Sequence, residues 1–107
     1  MRQAEIYRNG TLAGVITQYP EKRYEFRYTD EWFQNNALPA ISLTLPKTQQ
    51  VYQSDHLFPF FFNMLSEGVN RQLQARQLRI DEKDYFGLLI ATAGADTIGA
   101  VTVKPLV

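Results

Sequence analysis

Strand-like alternation occupies the first part of the chain and a helical spacing the second. Residues 3 to 8 and 11 to 18 flank Asn9-Gly10, the pair best suited to the positive φ angles of a tight hairpin turn, so two antiparallel strands open the chain. Tyr19-Pro20-Glu21-Lys22 reads as a turn. Beyond it Tyr24, Phe26 and Tyr28 alternate with Arg23, Glu25 and Arg27, which predicts a third strand with one aromatic and one charged face. Thr29 or Asp30 caps a short helical turn carrying Trp32 and Phe33, ended by Asn35-Asn36 and Pro39. Ile41, Leu43 and Leu45 alternate with Ser42 and Thr44 up to Pro46, the pattern of a fourth strand, and polar Lys47 to Asp55 reads as a loop.

In the second part, Leu65, Val69 and Leu73 recur every fourth residue with Leu78 close to the same side, while Arg71, Arg76 and Arg79 lie elsewhere around the turn. An amphipathic helix from about Glu67 to Leu78 follows. Asp81 is placed to N-cap another helix with Asp84 in its first turn, and Gly94 suits the position that ends it. The β-branched run from Ile98 to Val103 rejoins the sheet. The prediction is an α+β fold: one small two-layer domain over residues 1–107, a mostly antiparallel sheet of about five strands and two to three short helices.

Between the two parts lies Phe58-Pro59-Phe60-Phe61-Phe62-Asn63-Met64-Leu65-Ser66-Glu67-Gly68, with four of the seven phenylalanines in five positions. It is too short to span a bilayer, which takes about twenty apolar residues. It is therefore either the centre of a core or the apolar side of an interface. Proline is favoured at a helix start, so a short helical turn divides the run, most of it inward and part at the rim.

Composition narrows the function. The 107 residues carry 11 basic and 11 acidic side chains, so no net field draws the chain to nucleic acid or anionic lipid. Cysteine is absent, which removes disulfides, thiolate nucleophiles and thiolate metal sites. The single histidine, His56, is too few for a histidine-based metal site. The N-terminal residues lack the apolar segment of a secretory signal, and a cytoplasmic location is the default expectation.

The motifs that resemble catalytic ones have simpler readings. Asp84-Tyr85-Phe86-Gly87 carries one residue more than a kinase metal-binding loop, without the accompanying catalytic loop, and reads as a helix cap leading into core. Gly94 and Gly99 have a phosphate loop's glycine spacing, but Ala100-Val101 follow where lysine and serine or threonine belong. Ser54, Asp55 and His56 are sequence neighbours in a loop and are not expected to point at one another as a triad does. The arginines at 71, 76 and 79 are balanced by Asp81, Glu82 and Asp84, so a solvated helix face outweighs a basic nucleic-acid stripe. Trp32 is either core or an interface anchor.

Taken in order, Ile41-Ser42-Leu43-Thr44-Leu45-Pro46, Phe60-Phe61-Phe62-Asn63-Met64-Leu65-Ser66-Glu67-Gly68, Arg71, Asp84-Tyr85-Phe86-Gly87-Leu88-Leu89 and Gly94-Ala95-Asp96-Thr97-Ile98-Gly99-Ala100-Val101 resemble the N-terminal subdomain of HipA-type toxin kinases. The resemblance runs from the first hairpin to the last strand. Two positions depart from the family pattern: Ser66 replaces a proline, and Val69 stands where some small members carry a bulky aromatic.

The resemblance implies a non-catalytic chain without a cofactor, similar to the stand-alone small subunit (HipS-like) of split HipBST-type toxin-antitoxin systems. Such a chain binds a separately encoded HipA-like serine/threonine kinase and inhibits it, with a helix-turn-helix DNA-binding protein reached only through the complex. Direct contact with nucleic acid or membrane is not expected. The alternatives are a subunit that completes or activates the kinase fold and, more remotely, an independent small ligand-binding domain or enzyme. Candidate partner-binding residues are Ser66, Glu67, Gly68, Val69, Asn70, Arg71 and Trp32. The motif residues Pro46, Phe60, Phe61, Leu65, Gly94, Asp96 and Gly99 are read as structural, the last three as turn formers.

Overall fold

The computed structural model describes residues 1–93 and 101–106. Five strands, β1 (Arg2–Arg8), β2 (Thr11–Tyr19), β3 (Arg23–Tyr28), β4 (Val51–Ser54) and β5 (Val101–Leu106), form one antiparallel sheet in the order β4-β3-β2-β1-β5. Among the described residues four helices, α1 (Asp30–Gln34), α2 (Pro59–Phe62), α3 (Gly68–Leu78) and α4 (Tyr85–Thr92), accompany the sheet in an α+β domain. Asn9 and Gly10 turn the first hairpin at φ 51° and 80°, as their sequence demands. A bulge follows at once: Tyr7 pairs with Leu12 and Ile6 with Gly14, leaving Ala13 as the extra residue.

The register pairs Ile6 with Val103 and Ile16 with Phe26 on one face of the sheet, and all four are buried. The opposite face is polar, with Glu5 between Lys104 and Val15, and Glu25 between Thr17 and Gln53. The apolar face needs a cover, and the phenylalanine run supplies it. Phe61 tilts against Phe26 at 5.8 Å between centroids and meets Phe60 edge-on at 5.2 Å. Phe58 N-caps α2, Pro59 takes the first helical position, and Phe58 and Phe61 point inward while Phe62 is partly exposed. The run is thus mainly core, with its far end at the rim.

Three expectations require correction. Residues 41–45 form turns and not a strand. Ile41 and Leu45 are buried, but Leu43, which a strand would place on their face, is 99% exposed. The backbone groups here bond to a side chain instead of a neighbouring strand: the Tyr28 hydroxyl accepts from the Ile41 N–H at 3.1 Å and donates to the Leu45 carbonyl. The Pro46 carbonyl accepts from the Tyr52 hydroxyl. The fourth strand instead lies within the segment expected to be loop, at Val51–Ser54, paired with Arg27–Tyr24. Lastly, α4 is capped by Asp84, whose carboxylate accepts from the Gly87 N–H at 3.1 Å. Asp81 caps only the preceding turn, through the Lys83 N–H. The expected helix-ending Gly94 and strand start at Ile98 lie outside the described residues.

Burial holds the Tyr28 hydroxyl above its ordinary pKa, so it remains a neutral donor and acceptor. Tyr28→Phe is expected to cost about 1–3 kcal/mol, because it leaves a buried carbonyl and N–H unsatisfied. The reading would be a lower urea midpoint with an unchanged slope.

Candidate docking surface

The chain leaves the core at buried Leu65 and turns into α3 through Ser66, Glu67 and Gly68. Gly68 enters the helix at φ 56°, a conformation that costs an L-residue about 1–2 kcal/mol. Along α3 only Ala75 is fully buried, flanked by half-buried Arg71 and Gln74. Val69 and Leu73 lie one turn apart on the outer side, 68% and 48% exposed, with Leu78 also exposed near the helix end. The expected apolar stripe therefore exists but faces outward. Leu65, its first member, is buried yet precedes the helix.

Arg71 anchors the helix. Its guanidinium lies 5.5 Å from the Phe62 ring centre and 5.4 Å from that of Tyr85, two rings that meet edge-on at 5.1 Å. This cation–π clasp joins α3 to α2 and α4. The Arg71 Nε is buried without a hydrogen-bond partner among the described residues. Glu67, Gly68, Val69 and Asn70 are exposed and Ser66 half-buried, so five of the candidate residues share one rim with the clasp. Trp32 does not join them. It is 3% exposed and its indole N–H donates to the Pro39 carbonyl at 2.9 Å, which makes it core.

Beside the clasp, the start of α4 is fixed by charge. Arg2 grips the Asp84 carboxylate at 2.7 and 3.1 Å, donates to the Gln18 Oε1 at 2.7 Å, and stacks 5.3 Å from the Phe86 ring centre. A Cβ at Gly87 would fall 2.3 Å from the Asp84 Oδ2, so the motif's last residue has no room for a side chain. Asp84-Tyr85-Phe86-Gly87 is thus a cap and core motif.

The hydrogen bond and charge of Arg2 hold the Asp84 carboxyl below its ordinary pKa. A carboxyl lowered in the folded state stabilises fully above its unfolded value of about 4, and that contribution is lost as pH falls through the folded value. Both side chains are about a third or more exposed, which limits the pair to about 1 kcal/mol or less. Arg2→Ala is expected to flatten the stability loss between about pH 5 and pH 2, measured as urea midpoints across that range.

Among the described residues, Ser54, Asp55 and His56 do not form a triad. The Ser54 hydroxyl accepts from the His56 backbone N–H at 3.1 Å, and the imidazole lies 3.5 Å from Asp55 in an exposed loop. Among the described residues no group of three or more histidine, cysteine, aspartate or glutamate side chains is placed to hold a metal ion. Gly94, Asp96 and Gly99 lie outside the described residues. No described helix is long and apolar enough to cross a membrane.

The family description "HipA N-terminal domain" fits residues 4–104. The chain belongs to this family. The solved N-terminal domain of HipA toxin matches it with a TM-score of 0.74 and 26% identity, covering 100% of this chain and 94% of that one. An uncharacterized protein of Haemophilus influenzae is 29% identical over 104 residues, covering 97% of this chain and 92% of its own length. A protein of Sinorhizobium fredii named putative kinase Y4mE is 29% identical over 105 residues, 98% of this chain but 25% of its own length. The matching segment therefore makes up nearly all of the first relative and about a quarter of the second. Membership of this family supports a toxin-antitoxin-related role.

Sequence reasoning placed the α3 entry correctly at Glu67 and Gly68 but passed over Phe62, Leu73 and Leu78 as surface residues. The available signal was the sparseness of the apolar row: Gln72, Gln74, Arg76 and Gln77 surround it, leaving no second polar face to mark which side meets water.

Proposed function

We propose that this chain is a non-catalytic regulator that docks on a separately encoded HipA-like serine/threonine kinase and restrains it. The observation that carries the reading is α3, which offers Val69 and Leu73 to solvent while its inner side is anchored by an arginine clasp. Exposed apolar residues grouped on a rigid rim mark interaction sites. The apolar face of a helix seated in a partner's groove is a recurrent docking mode. Support also comes from the putative kinase relative, in which a matching segment accompanies a much longer remainder. A helix-turn-helix protein would be reached through the kinase, since the chain's own charge is balanced.

Coexpression with a HipA-like kinase is expected to restore growth and to yield a co-purifying complex; two folded proteins that do not associate would overturn the reading. Kinase activity measured on titration with the chain fixes the sign. A fall supports restraint, whereas a rise would assign the chain to completing the kinase fold.

A further inference from the structure

A cleft of about 470 Å³ opens beside the clasp, between the Pro20–Lys22 turn, the loop after β4, α2 and the start of α4. Its size falls in the range of small-molecule sites. Tyr24, Phe62 and Tyr85 supply aromatic walls, and Lys22 and Lys83 stand on its lining. Tyr24 is 7% exposed, and its hydroxyl accepts from the Gln18 side-chain amide at 3.2 Å. That hydroxyl donates to nothing among the described residues, so its proton is available to a ligand in the cleft. Neither lysine has an acidic partner within ion-pair distance among the described residues.

Charge selects the ligand. Asp84 on the lining is neutralised by Arg2, so Lys22 and Lys83 against Asp55 leave a surplus of one positive charge. A single negative charge balances this, whereas a phosphate dianion would leave one negative charge in excess beside Asp55. The Pro20–Lys22 turn adds a separate sign. Glu21 and Lys22 both adopt positive φ, 67° and 60°, where glycine or asparagine would sit without strain. Strain of this kind persists where a side chain is needed for another purpose. Lys22, in that conformation, is among the residues that line the cleft.

We propose that this cleft binds a small aromatic carboxylate, its ring against Tyr24 and Tyr85 and its carboxylate taking the Tyr24 hydroxyl proton as a hydrogen bond while facing Lys22 and Lys83. The proposal stands on the cleft's own chemistry and does not depend on the kinase reading. The test is an amide-resolved NMR titration of the whole chain with benzoate, phenylacetate and indole-3-acetate. Phenyl phosphate, benzamide and acetate serve as controls.

At least one carboxylate is expected to give saturable shifts at Lys22, Tyr24 and Lys83 with a Kd of about 1 mM or below, and the controls to bind about tenfold more weakly. Tyr24→Phe keeps the ring and is expected to weaken binding about tenfold. Lys22→Gly is expected to weaken it about as much while raising the melting temperature, because the glycine relieves the positive φ. That combination separates a ligand-holding lysine from a structural one. The proposal is overturned by no saturable shift at these residues up to about 10 mM of any of the three carboxylates, by equal binding of benzamide, or by unchanged affinity in both variants.

Discussion

The double substitution Val69→Glu with Leu73→Glu is expected to abolish co-purification with the kinase while leaving the chain folded. Both side chains already face water, so no cavity is created and no buried group loses a partner. Stability should stay within about 0.5 kcal/mol of the parent, as for ordinary surface positions. Glutamate is also a better helix former than valine. In the proposed complex the same positions would be apolar anchors surrounded by desolvated surface. Two charges placed there cost upward of about 4 kcal/mol together, a loss of about a thousandfold in affinity. The measurement is a binding isotherm beside a thermal melt of each free variant. Unimpaired binding would remove α3 from the interface, and a collapsed melt would make the stripe structural.

Phe61→Ala is expected to cost about 3–5 kcal/mol, a large part of the 5–15 kcal/mol available to a domain of ordinary stability. Phe61 is fully buried and touches the rings of Phe26, Phe58 and Phe60, so its removal opens a cavity where sheet and helices meet. Phe62, one position later, is partly exposed and packs against Tyr85 and Arg71. Phe62→Ala should cost about 1–2 kcal/mol through the lost clasp and ring contact. Equal urea midpoints for the two variants would contradict the division of the phenylalanine run into core and rim.

What the sequence made legible was local. Asn9-Gly10 permits one tight turn, and the aromatic-charged alternation of Arg23–Tyr28 permits one orientation on a sheet. The strand assigned to Ile41–Leu45 failed because alternation reports which side chains are apolar, not what satisfies the backbone. There the Tyr28 hydroxyl does so, from a residue more than ten positions away. Edge strand β4 was missed because Val51–Ser54 has little apolar area to bury and is recognised only by its pairing with β3. For the docking surface, spacing revealed the row of Val69 and Leu73 but not its exposure. A helix period shows that a row is apolar and leaves open what covers it. The clasp depends on contacts between α2, α3 and α4, and the cleft on the meeting of the Pro20–Lys22 turn, the loop after β4, α2 and the start of α4, which no single segment encodes. Even so, Arg71 was singled out by its place in the motif order.

The sheet order carries a consequence for synthesis on the ribosome. β1 gains β2 almost at once, through a two-residue turn, but its other edge waits for β5 at Val101–Leu106. At ordinary elongation rates the intervening residues take roughly ten seconds to make. Throughout that time one side of β1 offers unpaired N–H and C=O groups to any extended chain nearby. β5 thus closes the edge of β1, and until it does that edge is open to pairing with nascent copies on the same message.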